Sequence, residues 1–225
     1  MISFLFSCEH ATCAIPEAYR QLFRGSEDLV TSPKGWDPGA LNLAQGFSMK
    51  FRTPLIHGDM TRLLIDLDEN GDERWSQISR NLPEATQAKL IDRHERTYRA
   101  QLQLRISDDL IRNDWVAHLM THTVDSEVGK IELLTPPHCE NAEQFAGRWS
   151  SLIRQAGLEV SFRRAAPLNG LVNELMQQFP PSQYAPVRLE VSQSFFLTGT
   201  PWRWETLKRT LITTLKSAAD AVQSN

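Results

Sequence analysis

A chain of 225 residues, 41% of them hydrophobic, can bury a full core and reads as one domain over residues 1–225. A formal net charge of −3 and an isoelectric point near 6.1, with no basic block, count against a nucleic-acid partner. Three cysteines without scaffold spacing, no signal peptide and no apolar run of ~20 residues point to a soluble, cytoplasmic protein with no membrane segment.

Ser3 to Phe6 is an apolar run that stops at Ser7-Cys8-Glu9-His10, the pattern of a buried strand in a parallel sheet. Ligands of open α/β sheets bind beyond the carboxyl ends of the strands, so His10 reads as a metal ligand. A short helix or turn runs from Ala14-Ile15-Pro16-Glu17 to about Phe23, and Gly25 to Gly35 is a loop. Asp37-Pro38 then starts a helix through Leu41, Leu43, Ala44, Phe47 and Phe51. The Asp37 carboxylate suits capping, but one oxygen can cap while the other reaches a cation near the first strand.

Pro54 to His57 and Arg62-Leu63-Leu64-Ile65-Asp66-Leu67 read as strands, and Glu69 to Arg74 as an exposed loop. Pro83 opens a long helix to about Ile111 with Leu90, His94, Tyr98, Leu102 and Ile106 on its apolar face. At such a position His94 is a packing residue rather than a ligand. Trp115 to His122 is the second decisive strand: alternation puts His118 and Met120 on one face, and His122 ends the strand as His10 follows the first. Two such histidines with an aspartate nearby make a site.

Ile131 to Leu134 is a further strand, Ala142 to Gln155 a helix, Leu158 to Phe162 a strand and Leu168 to Phe179 a helix. Val187 to Ser192 is an apolar strand with Glu190 inside it. A buried glutamate needs a partner: either it pairs with Arg62 or Arg188, or it serves as a general base in a partly dry cleft. Trp204 to Val222 closes the chain as an amphipathic helix.

In order, Ser7-Cys8-Glu9-His10-Ala11, Trp36-Asp37-Pro38-Gly39-Ala40, Thr61 to Leu67, Ser79-Arg80-Asn81-Leu82-Pro83, Thr121-His122-Thr123 and Leu189-Glu190-Val191 resemble the N-formylglutamate amidohydrolase family, over Ser3 to about Ser194. The resemblance implies an α/β fold, a three-layer sandwich with a mostly parallel mixed sheet of the phosphorylase/hydrolase-like, zinc carboxypeptidase-like kind. It also implies zinc-dependent hydrolysis of a small-molecule N-acyl amino acid such as N-formylglutamate, as in histidine degradation. Catalytic zinc, Zn2+, commonly takes three His and carboxylate ligands; here these are His10, Asp37 and His122, and other divalent transition metals suit the same donors. Glu190 is then the base that moves a proton from water to the leaving amine. Arg62 or Arg80 would hold a substrate carboxylate, the alternative for each being a salt bridge with Asp66 or another acid.

The family usually follows Asp66-Leu67 with Asn-Arg, where this chain has Asp68-Glu69; acids there would repel a dicarboxylate. His94 stands where tyrosine is common, and Thr123-Val124-Asp125-Ser126 replaces Ser-Phe-Thr-Pro. The departures fall on the substrate side and spare the ligands. Two other readings are a metal-free thiol amidase, with Cys8 as nucleophile and His10 or His122 as base, and a non-catalytic member that binds an acylated ligand or a partner protein.

Overall fold

The first seven-residue strand, β1 (Ile2–Cys8), is buried along almost its whole length and lies between two parallel neighbours, which is why it reads as a continuous apolar run. The structure is a computed structural model that describes residues 1–166 and 168–223. After β1 come a 3-10 turn (Glu17–Phe23), α1 (Glu27–Thr31), α2 (Ala40–Phe51) and β2 (Leu55–His57). A second 3-10 turn (Gly71–Arg74), α3 (Glu84–Leu90), a π-helical turn (Ile91–Glu95) and α4 (Arg96–Leu110) lead to β3 (Trp115–Val124). The rest is β4 (Ile131–Thr135), α5 (Glu140–Gln155), β5 (Ser161–Arg164), α6 (Gly170–Gln178), β6 (Tyr184–Ser192), α7 (Ser194–Leu197) and α8 (Trp204–Gln223).

The six strands form one sheet in the order β2-β1-β3-β6-β4-β5. β2, β1, β3 and β6 are parallel, and the β4–β5 pair runs against β6, so the sheet is mixed and mostly parallel. Helices cover both faces, the three-layer arrangement expected. On one face Phe4, Phe6, Leu119, Leu133 and Leu189 pack against α2, α5 and α8 through Phe47, Trp149 and Leu211. On the other, Leu5, Val116 and Tyr184 meet Tyr98, Leu102 and Ile106 of α4 and Leu171 and Leu175 of α6. Among the described residues no helix is long and apolar enough to cross a membrane.

This second face turns polar toward the carboxyl ends of the strands. His118 is fully buried there, its Nδ1 2.7 Å from the Tyr184 hydroxyl and its Nε2 2.8 Å from Ser7 Oγ. Burial lowers its pKa from 6.5 to about 4, against the weaker pull of Glu9 and Asp68. The unfolded chain, with its histidine free, therefore takes up the proton first as pH falls. The stability that depends on His118 is complete above about pH 6.5, and roughly 3 kcal/mol of it is lost on the way down to pH 4. Urea unfolding at pH 7 and pH 4.5 should show wild type losing that much more than His118→Gln; parallel losses would refute it.

Several segments differ from the sequence expectation: the loop expected over Gly25 to Gly35 holds the short helix α1, and the strand expected over Leu158 to Phe162 starts only at Ser161 and runs to Arg164. Residues 62–67 form no strand: Leu64 and Ile65 are buried in a separate cluster with Phe23, Val30, Met60, Trp75 and Leu90. Their backbone is held by turns and loops instead, with Leu64 N donating to Thr61 O, Ser76 Oγ to Leu63 O and Asp66 N to Arg74 O. A short apolar run can fill a satellite core as readily as a sheet. The long helix is present, interrupted by a π-helical turn, and Leu90, Tyr98, Leu102 and Ile106 of its expected apolar face are buried. Glu95 and Arg99 are buried beside that face and paired with each other, while His94 stays partly exposed with Nδ1 3.5 Å from Asp59.

Candidate active site

The elements of the site converge because three loops are lashed to the end of β1. Gly58 N donates to Cys8 O, and Asp37 N to His10 O, both at 3.0 Å. Thr61 N reaches Ala14 O at 2.8 Å, and Arg62 N reaches Gly35 O at 3.1 Å. Gly58 must be glycine for this: a Cβ there would lie 2.1 Å from Glu9 O. Gly39 has φ +90 and a Cβ there would meet the Phe196 ring at 2.7 Å, so the turn before α2 is also closed to larger residues. The Asp37 side chain does not cap α2, since no side-chain cap bond is made at its start. Its carboxylate is committed to the site.

Sheet register supplies the rest. His122 of β3 pairs with Glu190 of β6, and Glu190 with Glu132 of β4, so these side chains stand in a row on one face. Glu9, just past β1, continues the row on the other side, with Oε2 3.2 Å from His122 Nε2. Asp37 Oδ2 lies 2.8 Å from His122 Nδ1 and 3.4 Å from His10 Nδ1. The three expected ligands are thus brought together, buried, with donor atoms within 4.8 Å of one another.

The second nitrogen of each ring has its own acid. His10 Nε2 is 2.7 Å from Asp66 Oδ1, and His122 Nε2 faces Glu9, whose Oε1 accepts from the Tyr98 hydroxyl at 2.7 Å. Asp68 Oδ2 lies 3.9 Å from His10 Nε2 and 3.7 Å from His122 Nε2. Glu9, Asp66 and Asp68 are the members that sequence reading missed. Glu9 had a signal: it sits beside His10 and shares Ser7's face by alternation. Two further groups, Glu9-Asp68-His122 and His10-Asp66-Asp68, overlap the first.

Burial opposes charge on every one of these groups, and their mutual attraction outweighs it. His10 is raised to about 10 because Asp66 and Asp37 overcome the cost of burying its charge. His122 is raised as well, by Asp68, Asp37 and Glu9 against burial and Arg188. Against burial, Asp37 is held well below the carboxylate range by His10 and His122, and Asp68 by Arg188 and the histidines; Asp66 is lowered by His10 and Arg62. Glu9 is lowered by His122 despite complete burial. Four acids ionised in one buried place require compensating positive charge. Among the described residues, His10 Nδ1, His122 Nε2 and Glu9 Oε2 are buried without a hydrogen-bond partner. Two imidazoles, an acid between them and further acids behind the rings form a donor set that fits a divalent transition metal.

Arg62 makes the internal salt bridge that was one of its two expected alternatives, with Asp66 at 3.3 Å, and lies 3.6 Å from Asp37, with 35% of its side chain exposed at the cluster's edge. Arg80 is exposed, bonded to Ser76 O at 3.4 Å, and lines a hollow of about 330 Å³ with Asp72, Trp75, Asn81 and Gln87. No contact joins it to the cluster among the described residues. Glu190 pairs with Arg188 at 2.7 Å, the partner anticipated for it, and keeps 20% of its side chain exposed. Glu69 is half-buried and near the Gly170 amide; burial, then Asp68, raises its pKa. Cys8 faces away, against Ala11, Ala40 and Ala44, and burial pushes its thiol well up, the reverse of an activated nucleophile.

The solved structure of gene product Atu2144 from Agrobacterium tumefaciens is similar, with a TM-score of 0.77 at 21% identity over 98% of this chain and 90% of that one. N-formylglutamate amidohydrolase from Ralstonia eutropha JMP134 gives 0.69 at 17%, over 98% and 94%. A bacteriophage poly-gamma-glutamate hydrolase gives 0.51 at 9%, over 99% and 85%. At these identities the likeness concerns the fold, and no curated protein matches the chain. The profile of N-formylglutamate amidohydrolase matches residues 2–138, more than half of the sequence, taking in His10, Asp37 and His122 and ending before Glu190. With the match spanning β1 to the end of β4, the chain belongs to the N-formylglutamate amidohydrolase family.

Proposed function

We propose that the protein hydrolyses the amide bond of a small N-acyl amino acid, of the N-formylglutamate type, at a divalent metal, zinc by ligand type, held by His10, Asp37 and His122. The observation that carries this reading is the meeting of those donors within 4.8 Å, beside Glu190 on the adjoining strand. When bound, the metal supplies electrophilic activation of water and of the scissile carbonyl. Glu190 takes a proton from the attacking water and hands it to the departing nitrogen; the acyl carbon gains oxygen, the C–N bond breaks and the amine leaves. Asp66 is hydrogen-bonded to the far nitrogen of His10 and Glu9 faces that of His122 at 3.2 Å, so that the near ones are turned to Asp37. Arg62 is the better placed of the two arginines to hold the substrate carboxylate, because its partly exposed guanidinium already borders the cluster.

Zinc-loaded protein offered a panel of N-formyl and N-acetyl amino acids is the direct test, with release of free amine as the readout. Turnover that is lost to a chelator, restored by metal and indifferent to iodoacetamide is the expected result. Activity that survives the chelator but not the alkylating agent would replace the metal reading with a thiol one. No turnover of any member of the panel would leave a binding protein.

A further inference from the structure

Arg188 stands two residues before Glu190 on the same face of β6 and joins it to the rest of the molecule. Its Nε donates to Glu190 Oε1 at 2.7 Å, and its Nη1 donates to Asp68 Oδ2 at 2.6 Å. The other Asp68 oxygen accepts from Asn169 Nδ2 at 2.8 Å. Asn169 in turn caps α6, its Oδ1 accepting from Val172 N at 2.7 Å. A continuous line of four side chains therefore runs from the first turn of α6 to the proposed base. Asp68 and Asn169 are buried, Arg188 is 14% exposed, and Glu190 is the end that reaches solvent. The line also accounts for an acid at position 68: it is the counter-ion of an arginine 120 residues away in sequence.

We propose that Arg188, seated by Asp68 and Asn169, is a positioning residue that fixes the Glu190 carboxylate by one oxygen, so that proton transfer falls to the other. The proposal rests on the amidohydrolase reading above. A glutamate near a strand end has several rotamers open to it, and an anchored carboxylate meets the attacking water in one geometry; a misplacement of about 1 Å costs roughly 100-fold in rate. The arrangement follows the logic of catalytic groups in which the base is oriented by a third residue. Arg188 acts on the turnover step through Glu190 and does not bind the substrate.

Zinc-loaded wild type, Arg188→Ala, Arg188→Lys and Asp68→Asn should be compared on a substrate that wild type turns over. The expected result for Arg188→Ala is a fall in kcat of about 100-fold, with KM within about two-fold and metal content unchanged. Guanidinium chloride at tens of millimolar should recover about ten-fold of the loss in Arg188→Ala and leave wild type alone, which a purely structural role would not produce. Asp68→Asn should give a smaller loss of the same kind, and Arg188→Lys, whose ammonium lacks the planar fork, an intermediate one. If Arg188→Ala does not fold, these two carry the test. A raised KM with kcat intact would overturn the proposal by placing Arg188 on the substrate, and lowered stability with kcat intact would reduce it to an ion pair. A wild type without turnover removes the function reading and this inference together, and is recognised by failing before any variant is made.

Discussion

His122→Ala protein, dialysed against limiting zinc beside the wild type, is expected to hold less than about a tenth of the wild-type metal. His122 is fully buried in a central strand and touches Asp37 through one nitrogen and Glu9 through the other, so no neighbour can take its place without moving β3. His10→Ala and Asp37→Ala should fall in the same class. Asp66→Asn removes no ligand; it weakens the hold on His10 Nε2 and should cost about 10- to 100-fold in affinity. Removing His122 also leaves the buried Glu9 without its imidazole, roughly 3–5 kcal/mol of stability, while Asp37 keeps His10 and Arg62, so His122→Asn serves as a volume-conserving control. Elemental analysis and zinc titration read out the series. Equal metal in all variants would dismantle the site.

Glu190→Gln is expected to lower kcat by roughly 10²- to 10⁴-fold while KM and bound metal stay near their wild-type values. The amide keeps the shape of the carboxylate and can still accept from Arg188, so the strand register with His122 and Glu132 survives. What it loses is the capacity to accept and return a proton. A kcat within about three-fold of wild type would show that another group moves the proton.

Much of this site was legible in sequence because strand ends announce themselves. The apolar run through Phe6 breaks at Glu9-His10, and alternation along β3 delivers His122 to the same rim, so both imidazoles could be assigned before any coordinates. Asp37 was legible by type and place, though its capping role was not upheld: the carboxylate serves the histidines. Asp66 was hidden because its apolar neighbours imitate a strand while they fill a satellite core. The four-residue periodicity of the long helix found its buried Leu90, Tyr98, Leu102 and Ile106, but the π-turn between them leaves no mark in such a pattern.

Local chemistry along the polymer thus determined most of the strands and helices, residues 62–67 and α1 excepted, which residue types could grip a cation, and to which family the chain belongs. Only tertiary structure decided which acid backs which imidazole and that Arg188 ties Asp68 to Glu190. Those partnerships depend on the order β2-β1-β3-β6-β4-β5 and on loops crossing the end of β1. Periodicity reports the face a side chain takes; the partner it meets there is set by long-range packing.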